Sequence, residues 1–239
     1  MGPAGMFRIK HSNSQQTMKR NNTISIDAFL AFLLRYEGGI MSDKYCSLQE
    51  AFCTERKKAF ANDPADRGGA TLCGITLTTY KRYLTEFYGR ADADRATPLE
   101  LRQISYFDWK NIVCRYYWDA LRCGEMVWPG VALCVADFGF NSGTDRAARM
   151  LQQLLNTLAA QMGMPFEPLD VDGLVGPATI GFIRKWISTR TRANVLCEML
   201  CDQRAQFVER AVALGAINAK FGKGLNNRIR ALRYLALQA

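Results

Sequence analysis

The stretch from Pro129 to Phe140 is apolar on every side. A helix with that composition has no face for water and must be buried centrally in a helical fold. Two polar residues interrupt it at its end, Asp137 and Asn141, four apart and therefore on one face. Buried polar groups need partners, so these two either orient a site or brace the core. The other helical signals agree with a mainly α chain. Ile24 to Tyr36 places Ile26, Phe29, Leu30, Leu33 and Leu34 at spacings of three and four, and Gly38-Gly39 stops that helix. Thr78 to Phe87 reads as a helix. Thr97-Pro98-Leu99-Glu100 reads as a capped start, from which Ile104 and Phe107 should point inward. Gly176-Pro177 starts another helix, and a stripe through Leu196, Met199, Leu200, Phe207, Ala211 and Leu214 marks one from about 192 to 214.

Glu37 stands where the first helix stops, in Arg35-Tyr36-Glu37-Gly38-Gly39. The negative end of the helix dipole and apolar neighbours both disfavour an ionised carboxylate there, which suits a general acid; an ordinary exposed terminal Glu is the alternative. Downstream, Asn62 to Thr76 is rich in carboxylates, glycines and hydroxyls and reads as a tight loop or short hairpin. Asp63 and Asp66 are either turn formers or polar groups fixed beside a cleft. Among Tyr116, Tyr117 and Trp118, aromatic surface could stack on sugar rings, although core packing is expected for at least two of the three.

Composition narrows the chemistry. The single histidine, His11, precedes any periodic pattern, which argues against triad, cysteine-histidine and histidine-dependent zinc sites. Glycosidases need only carboxylates. The eight cysteines form no Cys-x-x-Cys pair, so no metal framework is expected. Cys197 and Cys201 read as buried thiols, while Cys46 and Cys53 could pair locally after export. Asp170-Val171-Asp172-Gly173 starts like a calcium loop, but Gly176, Pro177 and Ala178 occupy later ligand positions. No cofactor is expected. The net charge of +9 implies an anionic partner such as nucleic acid, a membrane surface or a cell wall. Its arginines, including Arg204 and Arg228, are scattered through helical patterns without a nucleic-acid module, so they read as a solvated face.

Glu37-Gly38-Gly39, Asp63-Pro64-Ala65-Asp66, Gly68-Gly69-Ala70-Thr71, Gly74-Ile75-Thr76 and Tyr116-Tyr117-Trp118-Asp119 together resemble glycoside hydrolase family 108, the N-acetylmuramidases. Gly130-Val131-Ala132-Leu133, Asp137-Phe138, Asn141-Ser142-Gly143, Leu151-Gln152 and Asp172-Gly173-Leu174-Val175-Gly176-Pro177 are similar to the predicted peptidoglycan-binding domain that follows in that family. Phe221 to Arg228 resembles its closing motif, with Leu225 and Asn226 where the family has Trp-Leu. The resemblance implies a lysozyme-like α+β fold, mainly helical, with a small loop or hairpin lobe and a helical C-terminal half. It implies residues 24–122 as the catalytic part and 123–239 as the second domain, the two sharing one core or not; the polar, basic residues 1–23 before them read as a flexible tail. One departure is the segment 40–61, which separates elements that lie close together in the family; a surface loop or substrate edge is expected for it.

What the resemblance implies for activity is cleavage of peptidoglycan between N-acetylmuramic acid and N-acetylglucosamine. Glu37 is then the acid, Asp66 the ionised partner and Thr71, by analogy with small phage lysozymes, the residue holding water. Asp63, Tyr117, Trp118 and Asn141 are the expected substrate contacts, and inversion the expected outcome. The alternatives are a lytic transglycosylase, a non-catalytic wall-binding or phage structural protein, and, third, a nucleic-acid binder. No secretory signal is read in the first residues, and the first helix is too short to span a bilayer. The expectation is synthesis in the cytoplasm and passage to the wall through a holin-type hole or a dedicated export route.

Overall fold

The computed structural model describes residues 26–239 apart from 63–68, 164 and 166, so the expectations for the tail and for Asp63 and Asp66 lie outside the described residues. The first helix, α1 (26–38), buries Phe29, Leu30, Leu33 and Leu34 completely, as its spacing dictates. It ends in a left-handed Gly39, φ +64°. The Gly39 N–H donates to the Arg35 carbonyl and the Ile40 N–H to the Leu34 carbonyl, and Ile40 then packs into the core. This closure uses the helix's free carbonyls and fixes the direction of the last turn, where Glu37 sits.

The segment 40–61 is not a loop. It carries α2 (Leu48–Glu55), started by the Ser47 side chain accepting from the Glu50 N–H, and Phe52 is fully buried with its ring stacked 5.3 Å from Trp109. The expected surface loop is therefore corrected: an apolar Ala51-Phe52 step on a capped helix gains more from burial than a polar loop would. Three short antiparallel strands follow, β1 (Phe60–Ala61), β2 (Thr71–Leu72) and β3 (Ile75–Thr76), in the order β1-β2-β3. Leu72 pairs with Ile75, so Cys73 and Gly74 form a two-residue turn, with φ of 44° and 78°. Both values are positive, the backbone that matches the twist of a tight hairpin. Thr76 ends β3 and caps α3 (Leu77–Tyr88).

The Thr97 and Glu100 capping box forms on α4 (Pro98–Arg102), but that helix is shorter than its pattern suggests. Ser105 restarts the chain as α5 (Tyr106–Val113), which runs on through a π turn over Cys114–Trp118. The restart rotates the helix face. Ile104 remains buried and Trp109 and Ile112 turn inward, while Phe107, expected inside, is 59% exposed.

The C-terminal half wraps α6 (Pro129–Ser142), whose residues from Gly130 to Gly139 are all buried. Around it lie α7 (Thr144–Gln161), α9 (Arg190–Ala213) and α10 (Ala219–Gln238), with α8 (Pro177–Trp186) against α7. Leu214 falls just past the end of α9 and is exposed, not part of the stripe assigned to it. Asp172 accepts from the Gln152 amide at 2.7 Å and from the Leu174 N–H at 2.8 Å, tying its turn to α7. One hydrophobic core runs from α1 to α10 without a break. The chain is mainly α with a small hairpin lobe, as the sequence implies.

Phe52→Ala tests the structural role of the 40–61 segment. Removal of a fully buried ring should cost about 3–5 kcal/mol in urea unfolding, against a negligible change for a residue on a surface loop.

Candidate active site

Glu37 occupies the last turn of α1 with its side chain 21% exposed. Two donors reach the same oxygen, Oε1: the Asn141 amide from the end of α6, at 3.0 Å, and the Arg228 guanidinium from α10. Arg228 also places Nη2 at 2.6 Å and Nε at 3.1 Å from Asp137 Oδ1. Arg204, from α9, donates to Asp137 Oδ2 and, through Nη2 at 2.5 Å, to Asn141 Oδ1. The five side chains close a ring: Glu37, Arg228, Asp137, Arg204, Asn141 and back to Glu37. Guanidinium groups only donate, so Arg204 fixes the Asn141 carbonyl toward itself and the amide toward Glu37. Glu37 Oε2 carries none of these bonds.

Asp137 is fully buried. Desolvation pushes its carboxyl toward the neutral form, but the Arg204 and Arg228 charges and their hydrogen bonds outweigh it and hold the group below the ordinary aspartate value. Burial likewise works against the Arg228 charge, and Asp137 with Glu37 more than restores it. The Arg228 guanidinium also lies over aromatic rings of α1, its carbon 5.5 Å from the Phe32 centroid and 5.9 Å from that of Tyr36.

The hairpin closes the other side. A Cβ at Gly74 would fall 2.5 Å from the Phe140 ring and 3.0 Å from Glu37 Cγ, so only glycine lets the Cys73-Gly74 turn approach Glu37 this closely. Phe140 in turn packs on Tyr117, with ring centroids 4.6 Å apart. Burial pushes the Tyr117 hydroxyl above its ordinary value, Thr79 and Arg82 work against this, and the Glu37 charge adds to it.

The structure thus brings Glu37, Asn141 and Tyr117 into one neighbourhood. Thr71 lies on β2, half-buried opposite Thr76, in the hairpin whose turn abuts Glu37. Trp118 points elsewhere: it is buried in the core, 5.7 Å from the Phe29 ring. Asp63 and Asp66 fall in the segment outside the described residues. Among the described residues no group of three or more His, Cys, Asp or Glu side chains is arranged to hold a metal.

Arg204 and Arg228 correct the sequence reading, which placed them on a solvated face; they are 3% and 4% exposed. Their signal was present but indirect. Asp137 and Asn141 on an apolar helix demanded buried partners, and Arg228 ends the stretch that resembles the family's closing motif.

The family model described as Glycosyl hydrolase 108 matches residues 51–143, and the one described as Predicted Peptidoglycan domain matches residues 146–230. Among solved structures, SagA of Brucella abortus is 28% identical with a TM-score of 0.55, covering 75% of this chain and 86% of its own. No curated protein matches the chain. Glu37 precedes the first match, Asp137 and Asn141 lie in it, and Arg204 and Arg228 lie in the second.

Two measurements test the ring. Arg228→Ala leaves Asp137 with a single partner in the core and should cost about 3–5 kcal/mol of unfolding free energy; a loss near zero would mean that Arg228 is not buried against it. The depressed Asp137 carboxyl also sets an acid limb. Its contribution is complete above the ordinary aspartate value, about 3.9, and is lost as pH falls from there through the lower folded value. Urea midpoints measured downward from pH 6 should show this fall, with a shallower limb in Asp137→Asn.

Proposed function

This chain belongs to the glycosyl hydrolase 108 family and carries its predicted peptidoglycan domain, a peptidoglycan hydrolase for which we propose cleavage between N-acetylmuramic acid and N-acetylglucosamine with Glu37 as general acid. The observation that carries the proposal is a single half-sheltered carboxylate, fixed through one oxygen by Asn141 and Arg228 beside a glycine turn. Both bonds fall on Oε1, so a proton on Oε2 disturbs neither of them. That proton passes to the glycosidic oxygen as the bond to the leaving sugar breaks.

Proton donation leaves a carboxylate behind. Asp137 offers one negative charge to two guanidiniums, so the group around it carries one positive charge in excess, delivered to Glu37 by Arg228. This excess stabilises the carboxylate as it forms, in a partly buried site where such an interaction is only weakly screened. Asp66, ionised, is proposed to meet the positive charge that develops on the sugar or to activate water, and Thr71 to hold that water. Tyr117 and Asp63 are proposed to border the sugar, and Asn141 to act through Glu37 by holding its orientation. In this reading the protein works in the periplasm or wall, reached through a holin-type opening or a dedicated export system.

Purified sacculi give the test. Wild-type protein should release soluble fragments with reducing N-acetylmuramic acid ends, and Glu37→Gln should lower the release about 10²–10⁴-fold with the thermal unfolding midpoint retained. Undiminished release by Glu37→Gln removes the acid assignment. Anhydro ends in the mass spectrum would replace hydrolysis by lytic transglycosylation, and sedimentation with sacculi without any release would leave a wall-binding protein.

A further inference from the structure

Where α6 meets α9, one sulfur on the first helix faces two on the second. Cys134 Sγ lies 3.8 Å from Cys201 Sγ, and Cys197, one turn before Cys201, also reaches Cys134. Cys134 and Cys201 are 3% and 1% exposed. Buried thiols ordinarily serve as small apolar fillers. This pair differs in its surroundings. Cys134 stands three residues before Asp137 and Cys201 three before Arg204, so the sulfurs form the layer next to the ion pair that those residues make. The Cys201 thiol is held below its ordinary value, first by its hydrogen bond with Cys134 and then by the Arg233 and Arg204 charges, against the effect of burial. Its partner is displaced the other way, by its bonds to Cys197 and Cys201 and by burial. The two sulfurs are thus displaced in opposite directions, Cys201 toward the thiolate and Cys134 away from it, as an attacking and a resolving cysteine are.

We infer that Cys134 and Cys201 are an oxidation site, at which a small peroxide-class oxidant converts the two thiols into a disulfide joining α6 to α9. The Cys201 thiolate attacks one peroxide oxygen and the O–O bond breaks. Sulfur is oxidised to the sulfenic acid, the peroxide is reduced, and the departing hydroxide takes up a proton to become water. Cys134 sulfur then attacks the sulfenic sulfur, the S–O bond breaks, and the oxygen leaves as water with the Cys134 proton. Two thiols and one hydrogen peroxide give one disulfide and two waters. The oxidant has to be about the size of water, because both sulfurs are closed to anything larger. Bonding draws them together by roughly 1.8 Å, to the ordinary S–S length of about 2.05 Å. The bond closes a long loop, its ends 67 positions apart, which restricts the unfolded chain. It also ties together the turns that carry Asp137 and Arg204.

The full chain with Cys46→Ser and Cys53→Ser, which removes the two exposed thiols of the 40–61 segment, is titrated with hydrogen peroxide in its native state. The expected product is lighter by two hydrogen atoms and regains them with dithiothreitol. Digestion without reduction yields a peptide pair joining Cys134 to Cys201, and the unfolding temperature rises by several degrees over the reduced form. Cys134→Ala, with the sulfenic acid left unresolved, should show no such rise and instead accumulate an oxygen adduct on Cys201. Mapping on native core thiols keeps the test independent of whether that variant folds. Recovery of Cys134 and Cys201 as free thiols after peroxide treatment, or a bond from Cys134 to Cys197 instead, overturns the inference.

Discussion

The Arg228 guanidinium holds a carboxylate on each side, Asp137 from the centre of the helical half and Glu37 from the first helix, and α9 and α10 pack on α6 around it. An aspartate on a helix that is apolar all round cannot stay ionised without compensation, since an uncompensated buried charge costs several kcal/mol. Two arginines supply the compensation, one from α9 and one from α10, and neither could reach Asp137 unless both helices packed directly on α6. Hydrophobic burial drives these helices together without specifying their register. The ring adds direction: five side chains with fixed donors and acceptors meet in one register and lose partners in others.

The same ring joins the two halves of the chain. Glu37 comes from α1 and the hairpin supplies the glycine turn beside it, while both guanidiniums come from the region that matches the predicted peptidoglycan domain. That region therefore does more than lie beside a catalytic unit; through Arg228 it touches the carboxylate on which the proposed chemistry rests. The uninterrupted core between the halves is the apolar counterpart of this polar link. Asn141, at the end of α6, completes it by passing the orientation set by Arg204 to Glu37.

Features set by local rules were legible in the sequence. The stripe of α1 and its glycine stop, the turn between β2 and β3, the Thr97 capping box, and the burial of α6 all follow from spacing or from residues next to one another. Features set by long-range partners were not. Arg204 and Arg228 look like any surface arginine in a helical pattern until a buried aspartate is found opposite them. Phe52 looks like part of an inserted loop until Trp109 is found beneath it. Phe107 was misplaced for a local reason, because the chain leaves the helix at Arg102 and restarts at Ser105, turning the next face by the length of that break. At the site, Glu37 stood out by its position at a helix end, but the sequence reading counted only the dipole and the apolar neighbours. It missed the cation that bonds the carboxylate.

That cation bears on the proposed chemistry as well as on the fold. A general acid sheltered only by apolar groups holds its proton because its charged form is poorly solvated, and the same poor solvation penalises the carboxylate after the proton leaves. In the proposed chemistry, with Arg228 on Oε1 of Glu37, that penalty is relieved by a charge already in place, so little reorganisation is needed as negative charge develops. Because Arg228 is itself balanced by Asp137, its charge is shared and not committed wholly to Glu37. The buried aspartate lies behind Glu37 with that arginine between them and shares it. Fold and proposed chemistry therefore draw on the same guanidinium, which Asp137 and Glu37 share.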